Sequence, residues 1–332
     1  MRRDARKYSE RLGVLRRAQF QAALDRFGLG RFVSASPVVG GLFGQNVFVS
    51  STTGDYVLRG KPHADWQFPK ERFFAQAIHE RTRVPVPWPY RLDSGTDIFG
   101  WNYILMPRMP GVQIGDPKIR SHFSSQDWRG IARAMGKTLG MLHTLKWPFC
   151  GNYDLRRDSI KPFKPSHAER ILSEMRWQIR ACVAASDRTT KADVAWVKAV
   201  ISKGQKALRV PFRPACVHHD FRDGNATAER RGGCWRVSGI FDLMECYCSD
   251  PEEDLSRSTA DYSQQSVQVA REFVRAYART LPPRPGFAER FPIYMLKDRM
   301  TIWRYGQSNK CWFDDKTTLR EYAEPFVSLD VF

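Results

Sequence analysis

The stretch His218-His219-Asp220-Phe221-Arg222-Asp223-Gly224-Asn225, followed by Ile240-Phe241-Asp242, decides how this chain is read. An Asp stands two residues after a His, and an Asn follows that Asp by five. Between the two motifs the pattern predicts a hairpin, with Ala226 to Glu229 extended, a turn at Arg230-Arg231-Gly232-Gly233, and Trp235 to Phe241 extended. The second strand then delivers Asp242. A loop-borne carboxylate can accept the proton of an attacking hydroxyl. A nearby amide oxygen and a second carboxylate are hard ligands for Mg²⁺ on nucleotide phosphates. The spacing therefore points to phosphoryl transfer.

The chained motifs resemble those of the aminoglycoside phosphotransferases, small-molecule kinases related in fold to protein kinases. The family pattern H-G-D-x-x-x-x-N is met by His218, His219 (where Gly is usual), Asp220 and Asn225. Its later I-D-x-x-x-x-x-x-G-D-P-x-x-D-L is met by Ile240, Asp242, Ser249, Asp250, Pro251, Asp254 and Leu255. A lone H-x-D carries little, whereas the set is specific. The resemblance implies Asp220 as the base and Asn225 and Asp242 as Mg²⁺ ligands; Arg222, inside the same loop, is a candidate for neutralising the γ-phosphate. It makes Asp250 and Asp254 structural. An unrelated α/β protein whose carboxylates cap turns is the bland alternative.

Composition sets the outer limits. A chain of 332 residues with 42% hydrophobic and 13% aromatic residues can bury a large core and most naturally splits in two. No apolar run approaches the ~20 residues of a membrane span, so no membrane insertion is expected. The basic start, Met1-Arg2-Arg3-Asp4, lacks the apolar stretch of a secretory signal. Seven scattered cysteines without a C-x-x-C read as reduced thiols in a cytoplasmic protein. The net charge of +18 would attract polyanions. No nucleic-acid motif accompanies it, so no specific nucleic-acid partner is expected.

Taken in order, residues 9 to 28 carry Leu12, Leu15, Phe20, Ala23, Leu24 and Phe27 at helical spacing and predict one helix. Next come Gly40-Gly41-Leu42-Phe43-Gly44-Gln45-Asn46, a glycine-rich turn that lets backbone N–H groups approach phosphate. By the resemblance, Gly41, Gly44 and Asn46 form the nucleotide-positioning loop. On the strand Tyr56-Val57-Leu58-Arg59, Arg59 stands where kinases place a phosphate-clamping Lys. Lys61, two residues on and so on the same strand face, is expected to share that task. Glu71, on the helix Phe68 to Ile78, is the expected partner of the strand cation. Met106-Pro107-Arg108-Met109-Pro110-Gly111 reads as the hinge, where the resemblance has the Pro107 carbonyl accept from adenine and the Met109 N–H donate. Helical periods follow at Trp128 to Leu145, at 166 to 184, 191 to 208, 262 to 282 and 287 to 308. A late segment, Asn309 to Asp315, is similar to hygromycin B phosphotransferases.

The expectation is an α+β, protein-kinase-like two-lobed fold. Residues 1–106 form an antiparallel N-lobe sheet with its helix, 107–111 the hinge, and 112–332 a larger, mainly helical lobe. The expected cofactors are ATP, with GTP as the alternative nucleotide, and Mg²⁺. The expected partner is a small-molecule hydroxyl acceptor bound by a monomer or dimer. Glu245, Trp303, Asp314 and Asp315 are the expected substrate contacts, and they favour an aminoglycoside-like acceptor. A sugar, choline or hydroxy amino acid is the alternative, and a nucleotide-binding pseudokinase without turnover is the other class.

Overall fold

A computed structural model describes residues 5–38 and 43–331. The chain begins with a hairpin, β1 (Ala5–Ser9) and β2 (Gly13–Arg16), before α1 (Arg17–Arg26). The single helix expected over 9–28 is therefore wrong for its first turns. Gly13 takes φ +71°, and Ser9 Oγ accepts from the Leu12 N–H (3.0 Å), closing a tight turn. Arg16 then has its N–H capped by the Gln19 side chain (3.0 Å), which starts the helix there. Leu12 and Leu15 are buried beside Phe20 and Leu24, so the inner face kept the spacing that suggested one helix.

Five antiparallel strands follow in the order β3 (Phe32–Pro37), β4 (Asn46–Ser51), β5 (Gly54–Gly60), β7 (Tyr103–Pro107) and β6 (Arg91–Asp93). Their period of two sorts side chains to opposite faces. Val47, Val49, Leu58, Tyr103 and Leu105 pack outward on Leu12, Leu15 and Phe20. Ile104 and Met106 point the other way, toward Phe74 and Ile78 of α2 (Gln67–Arg81). That inner face carries Asn46, Val57 and Arg59, because Asn46 pairs with Arg59 and Phe48 with Val57 in register.

Past Pro107 the chain is mainly helical. A short strand β8 (Val112–Gln113) pairs with β12 (Ala226–Arg231), which forms the expected hairpin with β13 (Cys234–Ile240). The helices are α3 (Pro117–Arg120), α4 (Ser125–Leu142), α5 (His167–Ala185) and α6 (Lys191–Gly204), then α7 (Leu255–Ser263), α8 (Val267–Ala278), α9 (Phe287–Ser308) and α10 (Leu319–Val327). A second small sheet has the order β10 (Ser159–Pro162), β9 (Gly151–Asp154), β14 (Tyr247–Ser249) and β11 (Ala215–Val217). The helix expected over 262–282 is shorter and preceded by another, because Ser266 caps α8 by accepting from the Val269 N–H. One apolar core runs from α2 through α4, α8 and α9 to Val331.

Candidate active site

Strand β11 ends at Val217, and the next two residues are tied down from behind. The backbone N–H groups of His218 and His219 each donate to one oxygen of the Asp254 carboxylate, both at 2.6 Å. His143 Nε2 lies 3.1 Å from the same carboxylate, and its Nδ1 lies 3.0 Å from the Tyr277 hydroxyl. His219 sits at φ +70°, a conformation that non-glycine residues adopt only when their surroundings over-determine it. Asp254 supplies that constraint.

The held loop presents Asp220. One of its oxygens accepts from Asn225 Nδ2 (2.9 Å), and the other accepts from the Arg257 guanidinium (3.0 Å). Arg222 Nε lies 3.3 Å away. Asn225 Nδ2 also donates to the Asp220 carbonyl, which leaves the Asn225 amide oxygen without a protein donor among the described residues. The Phe241 N–H donates to the Asn225 carbonyl (3.1 Å), and the Phe241 carbonyl accepts contact from His218 Nε2 (3.1 Å). These bonds set Asp242 beside the loop, in a left-handed conformation at φ +66°.

From β5 of the five-stranded sheet, Arg59 reaches across the cleft. Its guanidinium lies 3.2 Å from Glu71 and 2.9 Å from Asp242, with Asn46 Oδ1 at 3.4 Å. Arg59 and Glu71 are both buried. Burial opposes the charge on Arg59, but Glu71 and Asp242 outweigh it and hold the proton more firmly than usual. Burial pushes the Glu71 carboxyl up, against the pull of Arg59. Arg59 Nε, Glu71 Oε2 and Tyr90 Oη are buried without hydrogen-bond partners among the described residues. Unsatisfied groups of this kind, at the junction of the two sheets, suit a polar ligand.

Other expected residues fall elsewhere. Lys61 lies just past the strand end at φ +53°, and its ammonium donates to the Arg11 carbonyl (3.1 Å), away from Arg59. The same-face argument needs a continuing strand, and β5 stops at Gly60. Gly41 lies outside the described residues. Gly44 takes φ +58°, packed against Ser9. Met106 and Pro107 belong to β7, and the Arg108 N–H donates to the Asp55 carbonyl (3.0 Å). Met109 packs on Gly239, where an added Cβ would stand 2.5 Å away. Glu245 is exposed at the end of the turn after Asp242.

The substrate wall expected at the C-terminus does not form as read. Trp303 is fully buried, donates to Thr189 Oγ1 (2.9 Å) and packs on Phe313 and Tyr322. It is core. Asp314 accepts from the Lys316 and Thr317 N–H groups and so caps a turn, while Asp315 is exposed beside it. Sequence reasoning missed Gln67, whose amide donates to Glu71 (2.9 Å) from the preceding turn of α2. It also missed Arg257 and Asp298, paired at 2.6 Å across 41 positions. A spacing of four could have flagged Gln67. Nothing local could have flagged the other two.

The arrangement brings together a held carboxylate, an amide oxygen, a second carboxylate and a clamping guanidinium. The Asn225 amide oxygen and the unbonded oxygen of Asp242 are the hard donors that Mg²⁺ takes when phosphates complete its shell, so the residues fit that ion. A separate cavity of about 220 Å³ lies between β1, α1 and β3, and none of these residues lines it.

Fold and site together define a kinase-like phosphotransferase. A profile of the phosphotransferase enzyme family matches residues 34–288, and the chain belongs to that family. No curated protein sequence matches it. Among solved structures it is similar to the GDP complex of aminoglycoside 2'-phosphotransferase-IIIa, with TM-score 0.61, 11% identity, and 97% of each chain covered. It is also similar to choline kinase LicA from Streptococcus pneumoniae, with TM-score 0.58, 13% identity, and 93% of this chain and 97% of that one covered. A third is a putative fructosamine-3-kinase from Thermobifida fusca, with TM-score 0.59, 14% identity, and 87% and 93% covered. At such identities the likeness speaks for the fold. The chain is a small-molecule kinase of this family, which acts on hydroxyl groups.

Proposed function

We propose that the protein is an ATP-dependent O-phosphotransferase with Asp220 as general base. The observation that carries this is the convergence of Asp220, Asn225 and Asp242 on one hydrogen-bonded loop pair, reached across the cleft by the Arg59–Glu71 pair. The acceptor oxygen bonds to the γ-phosphorus, the bond to the β,γ-bridging oxygen breaks, ADP leaves, and the hydroxyl proton passes to Asp220. Arg59 binds phosphate oxygens, Glu71 orients Arg59, and Arg222 faces the transferred group. Asn225 and Asp242 would hold Mg²⁺, which when bound neutralises charge on the nucleotide phosphates. The hinge from Met106 through Pro107 to Met109 would meet the base. Such a site works by positioning and by fixed charge.

For the acceptor, an aminoglycoside is supported by the exposed Glu245 next to Asp242. A small hydroxylated metabolite is supported by the burial of Trp303 in the core, which takes away one of the expected substrate contacts. We favour the metabolite. The test is Mg²⁺-dependent ADP release against a panel of sugars, hydroxy acids, choline and aminoglycosides. Acceptor-dependent release that disappears in Asp220→Ala supports the reading. Release that survives Asp220→Ala unchanged would sink it.

A further inference from the structure

The cavity of about 220 Å³ between β1, α1 and β3 has an apolar wall made by Leu15, Phe20, Phe32 and Ala35. Leu15 and Phe20 belong to the cluster on the outward face of the five-stranded sheet, whereas Asn46 and Arg59 lie on its inward face. The sheet therefore stands between this cavity and the clamp, and a molecule held here does not touch the transfer site. A cavity of roughly 150 Å³ suffices for benzene, so this one takes a single aromatic ring with a short polar substituent.

Two guanidinium groups also line it. Arg17 lies over the Phe32 ring at 5.4 Å, and Arg6 over the Tyr8 ring at 5.9 Å. These contacts hold both side chains against aromatic faces and leave their N–H groups unspent. Neither side chain hydrogen-bonds or pairs with a carboxylate among the described residues, and no lining residue is acidic. The Tyr8 and Ser34 hydroxyls, also in the lining, have no hydrogen-bond partner among the described residues. The apolar wall is rich in rings. Phe20 stacks on Phe32 at 5.5 Å and meets Tyr8 edge-on at 5.2 Å, an arrangement that suits a further aromatic ring. An ammonium here would meet two cations and no carboxylate, and a neutral ring would leave both guanidinium groups unanswered. A carboxylate would accept from them in the geometry that guanidinium favours.

We propose that this cavity is a second ligand site, which takes a small aromatic carboxylate, its ring against Phe20 and Phe32 and its acid group toward Arg6 and Arg17. The site stands apart from the phosphotransferase reading and does not depend on it. The guanidinium groups select the acid, the ring-lined wall selects the aromatic body, and the volume limits that body to about one ring.

Calorimetry on the full chain, with and without Mg²⁺–ADP, measures phenylacetate against its neutral amide phenylacetamide, the cation phenethylamine, and acetate, an acid without a ring. Phenylacetate should bind with a Kd of about 1 mM or below, equally in both conditions, because the sheet separates cavity and cleft. The amide should bind about tenfold more weakly, the worth of one charge-assisted bond. Phenethylamine and acetate should not bind measurably. Ser34→Trp fills the cavity from an exposed position on β3 and should abolish phenylacetate binding. Arg17→Glu should weaken that binding by about tenfold or more. Both positions are exposed and far from the clamp's face of the sheet, so the unfolding midpoint and nucleotide affinity should stay at wild-type values. No phenylacetate binding, equal binding of the amide, the amine or acetate, or unchanged affinity in either variant would each overturn the inference. Competition by Mg²⁺–ADP would overturn it as well, since that would place the probe in the cleft.

Discussion

At the scale of single residues, Arg59 and His167 make the sharpest predictions. Arg59 meets Glu71 and Asp242 through Nη2 and Asn46 through Nη1, and a lysine offers a single point charge in place of that planar group. Arg59→Lys should therefore raise the KM for ATP more than it lowers kcat. Arg59→Met leaves Glu71 buried beside no cation, a loss on the order of 3–5 kcal/mol that a denaturant titration would register. No loss of stability would mean the pair is not sealed from water. His167 is buried between the Tyr294 hydroxyl (2.9 Å) and Ser249 (3.3 Å). Burial lowers its pKa to about 4, against the pull of Glu253 and Asp250. The depressed value means that folding favours the neutral ring. Its contribution is whole above the unfolded pKa of about 6.5 and is lost as pH falls through 4. Thermal midpoints of the wild type should fall over that interval more steeply than those of His167→Gln. Parallel curves would contradict the assignment.

At the scale of elements, the catalytic loop was legible because its chemistry is local. The H-x-D-x-x-x-x-N spacing, the hairpin turn and Asp242 all lie within 25 positions, and the structure pairs β12 with β13 as read. The first helix was misread because Leu12 and Leu15 satisfy a helix and an inward-facing hairpin equally, and only the left-handed Gly13 separates the two. The run from Asp250 to Asp254 has no basic residue within it, so the partners of its carboxylates were not readable locally. Its cations arrive from far away in sequence, Arg170 from α5, Arg284 from the segment entering α9, and Arg290 and Lys297 from α9 itself. No window of sequence holds both partners, so the acceptor side was where reading stopped. Two element-level tests follow. Asp254→Asn leaves one loop N–H facing an amide instead of a carboxylate oxygen, and hydrogen exchange at 218–225 should quicken while that of α4 is unchanged. Gly136 packs α4 on α8 so closely that a Cβ would stand 2.1 Å from the Phe273 carbonyl oxygen. Gly136→Val should destabilise by about 1–3 kcal/mol through overpacking, and a midpoint equal to the wild type would refute that contact.

At the scale of the molecule, the two sheets meet through Arg59 on one side and Asp242 on the other, so nucleotide and metal should act on the whole fold. A ligand at a hundred times its Kd stabilises by about 2.7 kcal/mol. Mg²⁺–ATP should raise the unfolding midpoint by a few degrees, and EDTA or Asp242→Ala should remove most of the shift. A shift equal with and without metal would exclude Asn225 and Asp242 as the ion's ligands. The +18 charge argues against a polycationic acceptor, since the long-range field repels one. Overall architecture was readable because the family motifs cross both lobes, and residues 34–288 carry the family match. The central claim is that Asp220 takes the acceptor's proton. Its most direct test measures nucleotide affinity and single-turnover transfer together in the wild type and in Asp220→Asn. The account predicts unchanged nucleotide affinity with transfer slowed by about 10²–10⁴-fold. Transfer at the wild-type rate with full nucleotide occupancy would contradict it.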